Sequence, residues 1–270
     1  MSDLAPPHSP NGTAYRISGR SDGPVVIMIH GLGLCSAVFD GMMAAFDAEY
    51  RVVRYDFWGH GDSSAPPAPM SLTVLSEQII DLMDHLEINR ASLVGFSIGG
   101  MINRRFALDH PDRLDALAVW NSPHERGVDA QVQVEARAAK VVDEGPMATM
   151  DAALQRWFTP RYLASGADGP ARVVAWRGRV DVTSYPDACM VLAAGVTELI
   201  RPQTPITAPT HVLTCENDTG STPAMSHAIS REIHGAESLI VPDLQHLGLM
   251  EDPDAFAEPT LTFLNKVLKP

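Results

Sequence analysis

The chain has 270 residues, 45% of them hydrophobic, which is enough to bury a large core and leaves room for one or two domains. A formal charge of −13 with no basic run argues against a nucleic-acid surface, which needs clustered lysine and arginine to neutralise phosphates. No apolar stretch approaches the ~18 residues of a membrane span. The polar, proline-rich start, Met1 to Pro10, lacks the apolar segment of a secretory leader, so a cytoplasmic protein off the membrane is expected.

Along the chain, Val25 to Ile29 is a continuous β-branched run that ends in His30-Gly31-Leu32-Gly33. That pattern predicts a buried parallel strand entering a glycine-rich turn. Arg51 to Tyr55 predicts a second strand, followed by the glycine-punctuated loop Asp56 to Ser63. Leu72, Leu75, Ile79, Leu82 and Leu86 recur at helical spacing, giving a stripe that packs on the sheet. Further strands are expected at Ala91 to Phe96, Leu117 to Trp120, Thr210 to Cys215 and Ser238 to Val241. Strands alternating with helices predict an α/β chain with a mostly parallel, doubly wound sheet.

Between Asn121 and about Ile200 the strand rhythm stops. Helix-like pieces replace it, at Ala130 to Asp143, Ala148 to Phe158 and Gly169 to Val180. The expected organisation is a core in two parts, residues 1–122 and 201–270, with a helical lid over 123–200 inserted at the strand ends. Pro123 to Ile200 holds eight basic and ten acidic residues, so the insertion carries only −2 of the total charge. The cysteines, Cys35, Cys189 and Cys215, are odd in number and lie in apolar segments, which predicts buried thiols.

Gly95-Phe96-Ser97-Ile98-Gly99 sets a serine between two glycines straight after an apolar strand and ahead of a helix. This is the pattern of a nucleophile elbow, in which a strained strand-to-helix turn leaves the hydroxyl exposed. A serine hydroxyl needs a base to take its proton and an acid to orient that base. Asp218 follows one predicted strand and His246 the next, at strand ends where open sheets place functional groups. Glu216 is the rival acid.

Taken together, His30-Gly31, Asp56 with Gly59-His60-Gly61-Asp62-Ser63, the Ser97 elbow, His110-Pro111-Asp112-Arg113-Leu114, Asp218 with Thr222-Pro223, and His246 with Glu251-Asp252-Pro253 resemble the α/β-hydrolase fold superfamily. Within it, the chain is similar to the 3-oxoadipate enol-lactonase and small carboxylesterase branch. Tyr185-Pro186-Asp187-Ala188-Cys189 followed by Ala193 resembles a segment of those lactonases, with Ser184 in place of the usual glycine. The resemblance implies Ser97 as nucleophile, His246 as base and then acid, and Asp218 as the group orienting the imidazole. It also implies an oxyanion hole from the backbone N–H groups of Leu32 and Ile98.

A hydrolase of a carboxylic ester or lactone is therefore expected, working on a small molecule with no metal and no cofactor, since no metal or nucleotide motif is present. A C–C bond hydrolase of a vinylogous diketone would use the same three residues, although Leu247 stands where such enzymes tend to carry tryptophan. A haloperoxidase-like perhydrolase more often has proline and methionine at Gly33 and Ile98. A non-catalytic receptor that keeps the triad is the reading from another class. A homo-oligomer is compatible with the sequence.

His30, at a buried strand end, is read first as a hydrogen-bonded group holding the turn. It is kept with Trp58, Trp157 and Trp176 as a candidate for lining the substrate pocket. Arg137, Arg156, Arg161, Arg172, Arg177 and Arg179 would ordinarily be solvated, but any one pointing inward could pair with a substrate carboxylate.

Overall fold

The computed structural model describes residues 5–268. Seven strands, β1 (Tyr15–Gly19), β2 (Val25–Ile29), β3 (Arg51–Tyr55), β4 (Ala91–Phe96), β5 (Leu114–Trp120), β6 (Thr210–Cys215) and β7 (Glu237–Val241), form one sheet in the order β1-β3-β2-β4-β5-β6-β7. All neighbours pair in parallel except β1, which runs antiparallel to β3 at the edge. The sequence reading lacked β1. Its residues are mostly exposed or half-buried, so the apolar run that betrays the central strands is missing there.

Side chains alternate across each strand, so the sheet feeds two cores. Ile27, Ile29, Leu93, Leu117 and Val119 face one side, with α2 (Leu72–His85) and α3 (Ile98–Asp109) packed on them. Val26, Met28, Val94, Phe96, Ala118 and Trp120 face the other, covered by α1 (Met43–Asp47) and α11 (Asp254–Leu268). Fully burying such a side chain stabilises by about 1.5–3 kcal/mol. Helix α2 starts at Ser71, whose hydroxyl accepts from Val74 N–H and so satisfies one otherwise orphaned donor. Among the described residues no helix is long and apolar enough to cross a membrane.

Between β5 and β6 the chain makes α4 (Val128–Glu144), α5 (Met150–Trp157), α6 (Pro160–Ala164), α7 (Gly169–Arg177) and α8 (Tyr185–Ala194). Three of these lie where helices were expected. The short α6 and the proline-started α8 carry too little periodic signal to be read in advance. Val134, Ala138 and Val141 of α4 and Tyr185, Cys189 and Ala193 of α8 belong to a small separate core, with Leu32 packed against it. The inserted helices are thereby seated on the turn after β2. The chain ends with α9 (Pro223–Glu232), β7, α10 (Gly248–Glu251) and α11.

Candidate active site

Register places the site. Phe96 pairs with Trp120, Trp120 with Leu213, and Cys215 with Val241, so the chain leaves β4, β5, β6 and β7 side by side at one sheet edge. Ser97 follows β4 directly, with φ 59 and ψ −117, a conformation an L residue holds only when its surroundings enforce it. Two glycines permit it. A Cβ on Gly95 would sit 2.2 Å from Gly99 O, and one on Gly99 would sit 2.2 Å from Ile29 O.

Ser97, Asp218 and His246 meet there. Ser97 Oγ lies 3.2 Å from His246 Nε2, and His246 Nδ1 lies 2.6 Å from Asp218 Oδ2. All three are buried. Asp218 Oδ1 accepts from the N–H groups of Gly220 (2.8 Å) and Ser221 (2.9 Å), and Oδ2 accepts additionally from Asn121 Nδ2 at 2.8 Å. A carboxylate with four donors is held in one orientation. Glu216 is exposed and accepts from Asp243 N–H instead.

Asn121 was not singled out from the sequence. Its position directly after a buried strand at the functional edge, between Trp120 and Ser122, was the available signal. The imidazole of His246 is walled by the rings of Phe96 (5.0 Å) and Trp157 (6.0 Å). The N–H groups of Leu32 and Ile98 make no hydrogen bond to another described residue, which leaves two backbone donors free beside the serine turn.

A cavity of about 140 Å³ opens at Ser97, Asp218 and His246. Of the four residues expected to line it, only Trp157 does so. His30 is fully buried below the turn, donating from Nδ1 to Gly31 O (2.8 Å) and accepting at Nε2 from Phe57 N–H (3.1 Å), with its ring stacked on Phe57. Burial pushes its pKa down against the pull of Asp56, so it is a neutral structural group. Trp58 is packed in the core on the α2 and α3 side. Trp176 is half-buried under the guanidinium of Arg172. Both indoles are spent on packing and do not reach the cavity.

Of the inserted arginines, Arg137, Arg156 and Arg177 line the cavity, joined by Arg126, which spacing did not single out. Arg172 and Arg179 pair with Asp40 and Asp62 instead.

Residues 24–168 match the model of the alpha/beta hydrolase fold family. The chain is 30% identical to 3-oxoadipate enol-lactonase 2 of Acinetobacter baylyi over 90% of its own length and 89% of that protein. It is 26% identical to the (E)-2-((N-methylformamido)methylene)succinate hydrolase of the same organism, over 91% and 92%. The crystal structure of the enol-lactonase from Burkholderia xenovorans superposes with a TM-score of 0.85 at 30% identity, covering 93% of this chain and 96% of that one.

Proposed function

Since the chain belongs to the α/β-hydrolase fold family, we propose that it hydrolyses a carboxylic ester or lactone through an acyl-enzyme on Ser97. The observation that carries this reading is the unbroken hydrogen-bond line from Ser97 Oγ through His246 to Asp218. Similarity to enol-lactonases over nearly the whole chain supports the lactone side of it.

In this mechanism His246 Nε2 takes the Ser97 proton as Oγ attacks the carbonyl carbon. The tetrahedral oxyanion is held by the N–H groups of Leu32 and Ile98, an arrangement whose single donors typically contribute roughly 3 kcal/mol to the transition state. As the intermediate collapses, the imidazolium returns its proton to the leaving oxygen. In a lactone that oxygen stays tethered to the acyl group. His246 then deprotonates a water that attacks the acyl carbon and releases Ser97. Asp218 accepts from Nδ1–H and fixes that tautomer throughout.

The test compares wild type and Ser97→Ala on a p-nitrophenyl acyl ester series and an enol-lactone, following burst and steady state. The expected result is a burst in the wild type and a loss of roughly 10⁴-fold or more in the variant. Turnover that survives in Ser97→Ala overturns the assignment. A binding protein that keeps its triad would bind these esters without the burst.

A further inference from the structure

Arg126, Arg137, Arg156 and Arg177 line the same cavity as Ser97. Among the described residues none of the four has a carboxylate within ion-pair distance. Arg54, Arg90, Arg105, Arg113, Arg172 and Arg179 all do. With 33 acidic residues against 20 basic ones in the chain, counter-ions are plentiful. The four that face the cavity have none, and share that state with Arg16, Arg51, Arg104, Arg161 and Arg231, which lie outside it.

Three of them are held by neutral groups. Arg126 donates to Leu192 O, Ala193 O and Gln131 Oε1, and Arg156 donates to Ala152 O. Arg177 donates to Pro146 O and lies over the rings of Trp157 (5.3 Å) and Tyr185 (5.2 Å). It is only 3% exposed, and its Nε has no partner. Among the described residues Arg137 has neither a hydrogen-bond nor an ion-pair partner.

Burial lowers the pKa of Arg126 to about 10, with Arg137 adding to the effect. It also lowers that of Arg156, helped by Arg137 and Arg177. Arg137 lies in α4, Arg156 in α5 and Arg177 at the end of α7, with Arg126 just ahead of α4, so the four reach the cavity from different inserted elements. Arg177 lies beside the reacting centre, because its guanidinium fills the space over Gly33 in the turn that carries Leu32.

Desolvated like charges with no counter-ion are costly, and an arriving anion removes that cost. One carboxylate has two oxygens, so it engages one guanidinium as a fork or two neighbours singly. Four unpaired guanidiniums exceed what one carboxylate can satisfy. We propose that this site selects a dianion, an ester or lactone bearing two carboxylates besides the scissile carbonyl, both held by these four guanidiniums. The proposal rests on Ser97 being the nucleophile.

Three p-nitrophenyl esters with a common leaving group test it: the butyrate, the hemiglutarate with one free carboxylate, and the tricarballylate monoester with two. A charge-assisted hydrogen bond contributes about 1.5–3 kcal/mol, so kcat/KM should rise roughly 10- to 100-fold with each added carboxylate. Arg137→Gln should shrink the ratio between the two-carboxylate and one-carboxylate esters by about tenfold, and added salt should shrink it too.

A tricarballylate ester turned over no faster than the hemiglutarate overturns the dianion, while Ser97-dependent turnover of all three would leave the hydrolase reading standing. If no ester is turned over, that reading fails by itself. Calorimetry on Ser97→Ala protein with butyrate, glutarate and tricarballylate then decides the second point. Affinity rising with carboxylate number supports the dianion site, and equal affinities overturn it.

Discussion

Gly33 and Arg177 show how one missing side chain shapes the site. Gly33 has φ +71, and a Cβ there would fall 1.9 Å from Arg177 Nε, in the space the guanidinium occupies between Trp157 and Tyr185. Gly33→Ala therefore imposes an unfavourable backbone conformation, worth about 1–2 kcal/mol, and also expels a buried cation from the turn that carries the Leu32 N–H. We expect a melting temperature lowered by several degrees and a fall in kcat/KM for an anionic ester of more than about tenfold, measured by thermal denaturation and steady-state kinetics. A drop in stability with full kcat/KM would show that the turn holds its donor without the arginine. At this scale the sequence was legible where chemistry dictates residue type. Ser97, Asp218 and His246 stand out because a strained elbow needs its glycines and because an acid and a base must follow strands. Asn121 was not legible, since an asparagine after a strand carries no signature until Asp218 is seen 2.8 Å away.

Among the elements, α5 is the inserted helix tied most directly to the loop that carries His246. Thr159, just past its end, donates from N–H and Oγ1 to the two carboxylate oxygens of Glu251, at 2.7 and 2.6 Å. Leu247 N–H donates to Trp157 O, and Gln245 Nε2 bonds Gln155 O and Arg156 O. The loop that presents His246 is thus built against the end of α5, with the Trp157 ring on the imidazole. Glu251→Ala leaves the Thr159 N–H and hydroxyl without their acceptors, at a cost of about 1–3 kcal/mol. It should lower kcat several-fold while KM stays near wild type, because the histidine is displaced and the guanidiniums are not. Thermal melts paired with kinetics check this, and an unchanged kcat alongside a lowered melting point would reduce the tie to scaffolding. The core elements were legible because apolar runs and 3.6-residue stripes report burial directly. Strand β1, at an exposed edge, and α8, whose apolar residues surround the helix without a dominant stripe, report it poorly.

For the whole molecule, a net charge of −13 conceals a positive cavity, and composition could not reveal it, because inward and outward arginines are spaced alike in a helix. Histidines produce a second global effect. Burial lowers the pKa of His30, His60 and His124, and brings His211 to about 4. In the unfolded chain each would take up a proton near pH 6.5. Above that pH neither state is protonated and the stability is fully present. As the pH falls below it the unfolded chain binds protons that the folded one refuses, so each histidine removes stability, with a slope that approaches at most about 1.4 kcal/mol per pH unit before its folded pKa is reached. Thermal melts between pH 7.5 and 5 should accordingly show a steep, continuous fall in melting temperature. His211 offers a clean dissection, lying 5.5 Å from the Phe263 ring with Nε2 unpartnered and remote from Ser97 in the sheet. His211→Phe removes one titrating group without stranding a polar partner, so urea titrations should show the loss of stability between pH 7.5 and 5 reduced by about 2 kcal/mol in all. A slope that matches wild type would mean that His211 is protonated in the folded protein as readily as in the unfolded one, and that the acid sensitivity comes from the other three.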